Sequence, residues 1–479
     1  MASHASSEKQ QSVHPVLPSW GPPDTSSESA KSSAATAEEA AELACLIKEV
    51  VASRLPAEGK LAANLPSLMK QLHGQYLLTL GADPFTLEGF FGASLKMGAA
   101  YWASTSLWLL GLRSSKTDRM LQEAGARRKK SSSSQGAKLA EELAGEASFC
   151  LPLEFSVVGE ESCVGSDGGN APSCGSFSLD SILETREDLL CDFVLRCLCP
   201  SGGFGQDIHQ EAQLTATHYA LLLLLGLGRL HLLPSPHRTA AWVRSLQTPD
   251  GGFKGDVWGE VDSRFSYCGV ACLHLLGQLD EAVAARAVRF IQRLMNADGG
   301  FAWIPGGESH AASAFCCLST LALCGGLWTV NRRKAAHWLI DRQTVGGGFN
   351  GRPEKAPDVC YSFWIYAAFR ILGYEGWVDA EKLAGFILQA QDTESGGIAD
   401  RPGDLADAFH TFFGLAALGM IYRTDHIQEL HPVLALPRSV LQTLHIPDWD
   451  PGPPLNLNQC AANVVAGSGE SFLSEQALS

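Results

Sequence analysis

Gly202-Gly203-Phe204, Gly251-Gly252-Phe253, Gly299-Gly300-Phe301, Gly347-Gly348-Phe349 and Gly396-Gly397-Ile398 punctuate the chain at steps of 49, 48, 48 and 49 residues. A fixed period of this size marks a repeat architecture, in which each unit buries its apolar face only against its neighbours. Between turns lie two helical stretches. In one interval, residues 311–323 are apolar and rich in small residues, and residues 334–342 follow with Ala335, Ala336, Trp338 and Leu339. The next interval pairs residues 358–372 with 380–390. The first stretch of each pair is apolar nearly all round and the second on one side only. The first is therefore expected inside and the second facing solvent. Such pairs can close into a ring. The expected fold is all-α, an α/α barrel (toroid) of about six helix pairs.

Residues 90–111 read as a further inner helix and 183–197 as its outer partner. Residues 410–421 read as the last inner helix, with 436–444 as a short closing helix. The expected organisation is a disordered N-terminal tail (1–40), N-terminal helices with the first inner helix (41–113), a low-complexity insertion (114–178), the rest of the barrel (179–446) and a disordered C-terminal tail (447–479). The insertion carries a basic run, Arg127 to Lys130, then a Ser/Gly stretch. Such composition cannot bury enough apolar area to offset chain entropy.

The 479 residues carry a net charge of −15, which argues against nucleic acid as the main partner. The N-terminus has no apolar core like that of a signal peptide. The leucine run 221–225 is far too short to span a bilayer, so an integral membrane protein is not expected. Many of the 14 cysteines lie on apolar helix stretches, as Cys268, Cys272, Cys316, Cys317 and Cys324 do. Reduced cysteines packed as small hydrophobes point to a reducing, cytoplasmic setting.

Three segments after these turns carry chemistry: Glu308-Ser309-His310, Arg352 to Tyr361, and Asp400 to His410. Asp358 and Cys360 open one inner helix, and His410 opens the next. Aspartate oxygen, thiolate sulfur and imidazole nitrogen together suit zinc, and three protein ligands leave a position open for a substrate thiol. The competing reading of Asp358-Val359-Cys360 alone is a helix cap and a buried thiol. Equivalent placement of His410 in the next repeat favours the metal.

His310, Arg352, Lys355 and Tyr361 fall on the same rim. Arginine grips phosphate oxygens with a planar fork and lysine acts as a point charge, so these residues suit a diphosphate. Asp400 is a candidate for a magnesium ion bridging to that diphosphate, or else pairs with Arg401 or Arg352. The inner stretches are rich in aromatics, among them Trp102, Phe265, Phe315, Trp364 and Phe412. In a ring of helices these would line an apolar funnel fit for a long hydrocarbon.

The blocks Gly255 to Phe265, Glu308-Ser-His310, Gly351-Arg-Pro-Glu-Lys-Ala-Pro-Asp-Val-Cys-Tyr-Ser362 and Ala399 to Thr411 resemble protein prenyltransferase β subunits, closest to the Rab (type II) geranylgeranyltransferase β subunits. The resemblance covers residues 70–113 and 180–446. It implies a six-pair barrel working with an α subunit and zinc at Asp358, Cys360 and His410, with Tyr361 also catalytic. It also implies geranylgeranyl diphosphate held at His310, Arg352, Lys355 and Tyr361, with magnesium near Asp400. The implied acceptors are C-terminal cysteines of Rab GTPases presented by an escort protein. Gly98 and Leu214 fall where the family varies residue bulk in the lipid pocket, beside Trp102, Phe265 and Trp364. A small residue at 98 favours a 20-carbon chain over a farnesyl chain. Ile398 departs from the usual aromatic of the last turn. The alternatives are a type I geranylgeranyl- or farnesyltransferase β subunit and a non-catalytic toroid that binds partners. A terpene cyclase would need an Asp-x-Asp-Asp acid motif, which the chain lacks.

Overall fold

A computed structural model describes residues 48, 51–52, 66–80, 95–131, 178–422 and 426–446. In chain order the helices are α1 (Lys70–Thr79), α2 (Lys96–Leu109), α3 (Ser115–Ser131), α4 (Leu179–Arg196), α5 (Leu214–Gly226), α6 (Pro236–Ser245) and α7 (Ser263–Leu275). They continue as α8 (Glu281–Gln292), α9 (Ala311–Leu323), α10 (Arg332–Ile340), α11 (Val359–Leu372), α12 (Ala380–Gln389), α13 (Ala408–Ile421) and α14 (Arg438–Thr443). Two short antiparallel strand pairs, Phe253–Lys254 with Val261–Asp262 and Ile398–Ala399 with Ala406–Asp407, brace loops that lead into inner helices.

Burial separates the helices as the sequence pattern demands. Every residue of α9 from Ala311 to Leu321 is buried. In α8 the buried residues are Val283, Ala287, Phe290 and Ile291, one stripe at helical spacing. The all-round apolar helices pack in the order α2, α5, α7, α9, α11, α13 and back to α2, a closed ring. Outside it, α1 packs on α2, α4 on α5, α6 on α7, α8 on α9, α10 on α11 and α12 on α13. Among the described residues no helix is long and apolar enough to cross a membrane.

The recurring glycines have a steric cause. Gly202, Gly251, Gly299, Gly347 and Gly396 all have positive φ, where a side chain is strained. A Cβ at each would also press on a backbone carbonyl of an outer helix: Arg238, Arg286, Lys334, Lys382 and, for Gly396, Leu72. The last partner lies on α1. Among the described helices the ring is therefore closed by α1 and not by α14. The aromatic that follows is fully buried at Phe204, Phe253, Phe301 and Phe349, and Ile398 is equally buried at the fifth turn.

Three expectations need correction, the first being the pairing of 183–197 with the first inner helix: these residues lie in α4, which packs on α5, and the outer partner of α2 is α1. Second, the insertion does not begin at 114. Residues 115–131 form α3, which packs on α4 and α14. Its buried face is Thr117, Leu121 and Gly125, small and polar enough to escape an apolar-stripe reading. Ser114 and Thr117 hydroxyls bond the buried Glu187 carboxylate. The remainder of the proposed insertion, 132–177, lies outside the described residues, as do the expected tails 1–40 and 447–479 and residues 90–94 of the first inner helix. Third, the last described helix is Arg438–Thr443 and packs on α3, so it is not the outer partner of α13.

The segment before α14 forms a plug beneath the ring. Tyr101 donates to the Ala435 carbonyl, and Tyr267 donates to the Val433 carbonyl at 2.7 Å. His431 Nδ1 accepts the Val433 and Leu434 amides at 3.2 and 3.1 Å, which fixes the plug's bend.

Candidate active site

The inner helices begin at one rim, and their capping residues supply much of the chemistry. A residue at the cap accepts amide hydrogens that the first turn leaves unpaired. Asp262 caps α7, His310 caps α9, Asp358 caps α11 and Asp407 caps α13. Capping fixes each side chain at the rim, and the converging helix N-termini favour anions there.

Asp358, Cys360 and His410 offer ligand atoms that all lie within 4.8 Å of one another. Asp358 Oδ1 accepts the Cys360 amide at 2.7 Å and lies 3.4 Å from His410 Nε2. On the far side of the ring, His410 Nδ1 sits 2.6 Å from Asp407 Oδ2. A carboxylate on the outer nitrogen fixes tautomer and orientation and leaves Nε2 for a metal. One oxygen, one sulfur and one nitrogen, converging with a supporting carboxylate, fit a zinc ion.

Electrostatics agree. Burial disfavours the charged imidazole of His410, but the hydrogen bonds it donates to Asp358 and Asp407 outweigh it and raise its pKa to about 9. Burial, and then the Asp358 charge, push the Cys360 thiol far up. Burial works against the Asp358 carboxylate, yet its bonds to His410 and Cys360 hold it below the ordinary range. This cluster of acidic and soft donors is arranged for a cation.

The anion-binding candidates gather less tightly. His310 Nε2 lies 3.4 Å from the Tyr361 hydroxyl, joining two successive repeats. Burial, and then Arg352, lower the His310 pKa to about 4, so it is neutral. Burial, with the Cys360 and Asp358 charges, raises the Tyr361 pKa to about 12, so its hydroxyl stays a donor. Arg352 pairs with Glu308 at 2.5 Å. Lys355 is exposed in the turn. Asp400 pairs with Arg401 at 2.7 Å, the alternative to a magnesium role, and among the described residues it joins no metal-type cluster.

Below this rim lies a cavity of ≈ 630 Å³. Its wall includes Trp102, Phe265, Tyr361, Trp364, Phe409 and Phe413, in edge-on ring pairs such as Trp102 with Phe409 at 4.9 Å. Two expected lipid-pocket residues do not line it. Gly98 sits behind rings: a Cβ there would meet Tyr219 at 3.3 Å and Trp102 at 3.4 Å. Leu214 is fully buried at the start of α5, and Thr215, His218, Tyr219 and Leu222 present that helix to the cavity instead. Helical spacing would have named this face once the helix start was known.

Arg264 also escaped the sequence reading. It lines the cavity mouth, pairs with Asp262 and Glu260, and lies over Phe265 and Trp303. Its signal was the Asp-Ser-Arg-Phe run at a helix start. Trp303, with its ring 5.1 Å from His310, had none beyond its position after the third turn.

Comparison with known proteins gives this geometry a context. Residues 174–436 match the family model of the prenyltransferase alpha-alpha toroid domain. The chain is 39% identical over 268 residues to geranylgeranyl transferase type-2 subunit beta of Saccharomyces cerevisiae, covering 55% of this chain and 82% of the yeast protein. It is 46% identical over 160 residues to the Candida albicans protein of the same name, covering 32% of this chain and 47% of that one. Its backbone matches a Candida albicans protein geranylgeranyltransferase-I solved with GGPP, at a TM-score of 0.58 and 18% identity, over 79% of this chain and 98% of that chain, which supports the fold. Ring, turns and relatives agree: the chain belongs to the prenyltransferase alpha-alpha toroid family, among the β subunits of type-2 geranylgeranyl transferases.

Proposed function

We propose that this chain is the catalytic β subunit of a zinc-dependent protein geranylgeranyltransferase. It joins C-terminal cysteines of Rab-type GTPases to the 20-carbon chain of geranylgeranyl diphosphate. It works in the cytoplasm with an α subunit and an escort protein that presents the GTPase. The observation that carries this reading is the convergence of Asp358, Cys360 and His410 with His310 and Tyr361 above an aromatic cavity.

In this reaction the acceptor sulfur bonds to C1 of the lipid, the C1–oxygen bond to diphosphate breaks, and the thiol proton leaves to solvent. Asp358, Cys360 and His410 would hold the zinc, with Asp407 keeping His410 in the binding tautomer. Zinc would supply the positive charge that lets a substrate thiol ionise near neutral pH. Tyr361 donates a hydrogen bond where charge grows on the leaving diphosphate. Neutral His310 can add a donor there. Arg352 exchanges Glu308 for phosphate oxygens, and Lys355 is free to swing in, with magnesium accompanying the diphosphate. The aromatic wall orders the hydrocarbon and keeps water from C1.

The test is transfer of labelled geranylgeranyl by the purified chain with a prenyltransferase α subunit. Rab acceptor is supplied with and without escort protein. Transfer to Rab C-terminal cysteines, abolished by chelation and restored by zinc, is expected. Transfer only to acceptors of type I or farnesyl enzymes would move the chain to that class. Tight partner binding with no transfer would leave a non-catalytic toroid.

A further inference from the structure

The lumen is not wholly apolar, and its polar groups differ in how well they are satisfied. The Tyr101 and Tyr267 hydroxyls are bonded to plug carbonyls. His218 is different. It lines the cavity, is only 3% exposed, and its Nε2 has no hydrogen-bond partner. Its ring is held by stacking on Tyr219 at 6.1 Å and by the Tyr267 ring edge-on at 5.2 Å. Gln206 lines the same cavity, is also 3% exposed, and has an unpartnered Oε1. The Gln206 amide lies 3.5 Å from Thr215 Oγ1. Thr215 and His218 are three apart on one face of α5, so these groups share one wall.

Burial lowers the His218 pKa to about 3, so the ring is neutral and offers one donor and one acceptor. A buried polar atom without a partner loses its hydration for nothing, and a bound partner recovers that loss. A cavity built only for hydrocarbon would carry an apolar residue here.

We propose that His218, with Gln206 across Thr215, is a hydrogen-bonding station in the lumen wall for a hydroxyl-type group, which lets the lumen accept an oxygen-bearing isoprenyl chain. The inference rests on the prenyl diphosphate reading of the cavity. The hydroxyl has two sources. With an all-hydrocarbon chain it is a water retained beside the lipid. With an oxygenated chain it is the lipid's own hydroxyl, which displaces that water. His218 is thereby a specificity-determining residue that touches the lipid and takes no part in the transfer step.

The test measures binding of geranylgeranyl diphosphate and of analogues with one hydroxyl on either of the last two isoprene units. The full-length chain is used, purified with an α subunit. Wild type should bind at least one analogue within about threefold of the parent, while His218→Leu should weaken that analogue about tenfold relative to the parent. His218→Gln should restore the wild-type ratio. If His218→Leu does not fold, Gln206→Met reads the same ratio from the other side of the station. A crystal structure with the parent lipid should show a water on His218. An unchanged ratio of analogue to parent between wild type and His218→Leu would overturn the proposal. Failure of wild type to bind the parent diphosphate would instead remove the lipid reading, and this inference with it.

Discussion

His73 Nδ1 accepts the Gly397 amide at 3.0 Å, across 324 residues of chain. Its Nε2 lies 2.8 Å from Gln391 Oε1, so the ring's single proton sits on Nε2. The same Gln391 oxygen accepts the Met69 amide at 3.0 Å. These bonds seat α1 on the last glycine turn and close the ring.

The closure should be sensitive to acid. Burial lowers the His73 pKa to about 4, against smaller raising effects from Gln391 and Asp392. An unfolded imidazole titrates near ~6.5. The folded pKa is the lower one, so the unfolded chain binds more protons in between. The stabilisation is fully present above about pH 6.5 and is lost as pH falls toward about 4, up to about 3 kcal/mol in all. Protonation would also set two donors, Nδ1–H and Gly397 N–H, against each other. Urea midpoints should fall between about pH 7 and pH 5, and His73→Phe should flatten that slope. A wild-type midpoint independent of pH would refute it.

Asp407 should control metal affinity without touching the metal. Asp407→Asn removes the charge on the outer face of His410 and should weaken zinc binding about 10- to 100-fold in chelator competition. Cys360→Ala should lose zinc outright by elemental analysis. Zinc uptake by apo protein should release protons, because Cys360 is a thiol before binding. An Asp407→Asn protein with wild-type affinity would show that the 2.6 Å contact orients nothing.

Tyr361→Phe should lower the single-turnover transfer rate by about a hundredfold, with little change in lipid affinity, as expected for a donor used mainly in the transition state. Arg352→Ala should raise the Kd for lipid diphosphate more than it lowers the rate, since its partly exposed guanidinium already has Glu308 as a partner. Equal effects of Tyr361→Phe on affinity and rate would assign the hydroxyl to ground-state binding.

Replacing residues 132–177 with a Gly/Ser linker should leave cooperative unfolding near its wild-type midpoint, because loop length costs only about 0.6 kcal/mol per doubling. Extending the deletion back to residue 115 should lower the midpoint clearly. It removes buried Leu121 and the Thr117 hydroxyl that bonds Glu187. Indistinguishable midpoints for the two deletions would mean that α3 contributes no stability.

The chain's pattern determined its repeat, its helical class and its candidate metal donors. Glycine spacing is local and steric: positive φ at Gly202 or Gly347 is a property of the turn itself. Periodicity of burial is equally local, which is why α9 and α10 were legible as inner and outer helices. Asp358, Cys360 and His410 were legible because equivalent positions in consecutive repeats must meet on one rim.

Tertiary structure alone decided which segments close and fill the ring. Nothing near His73 in sequence announces Gly397. The bond exists only because the toroid brings its two ends together. The plug at Val433 and Ala435 is equally non-local, being bonded to Tyr267 and Tyr101. The cavity-lining set also required the structure. Whether Gly98 or Tyr219 faces the lumen depends on helix rotation and on neighbouring rings, and one position of error along a helix turns a side chain by about 100°. A sequence repeats its local rules, whereas packing around a ring is set by every helix at once.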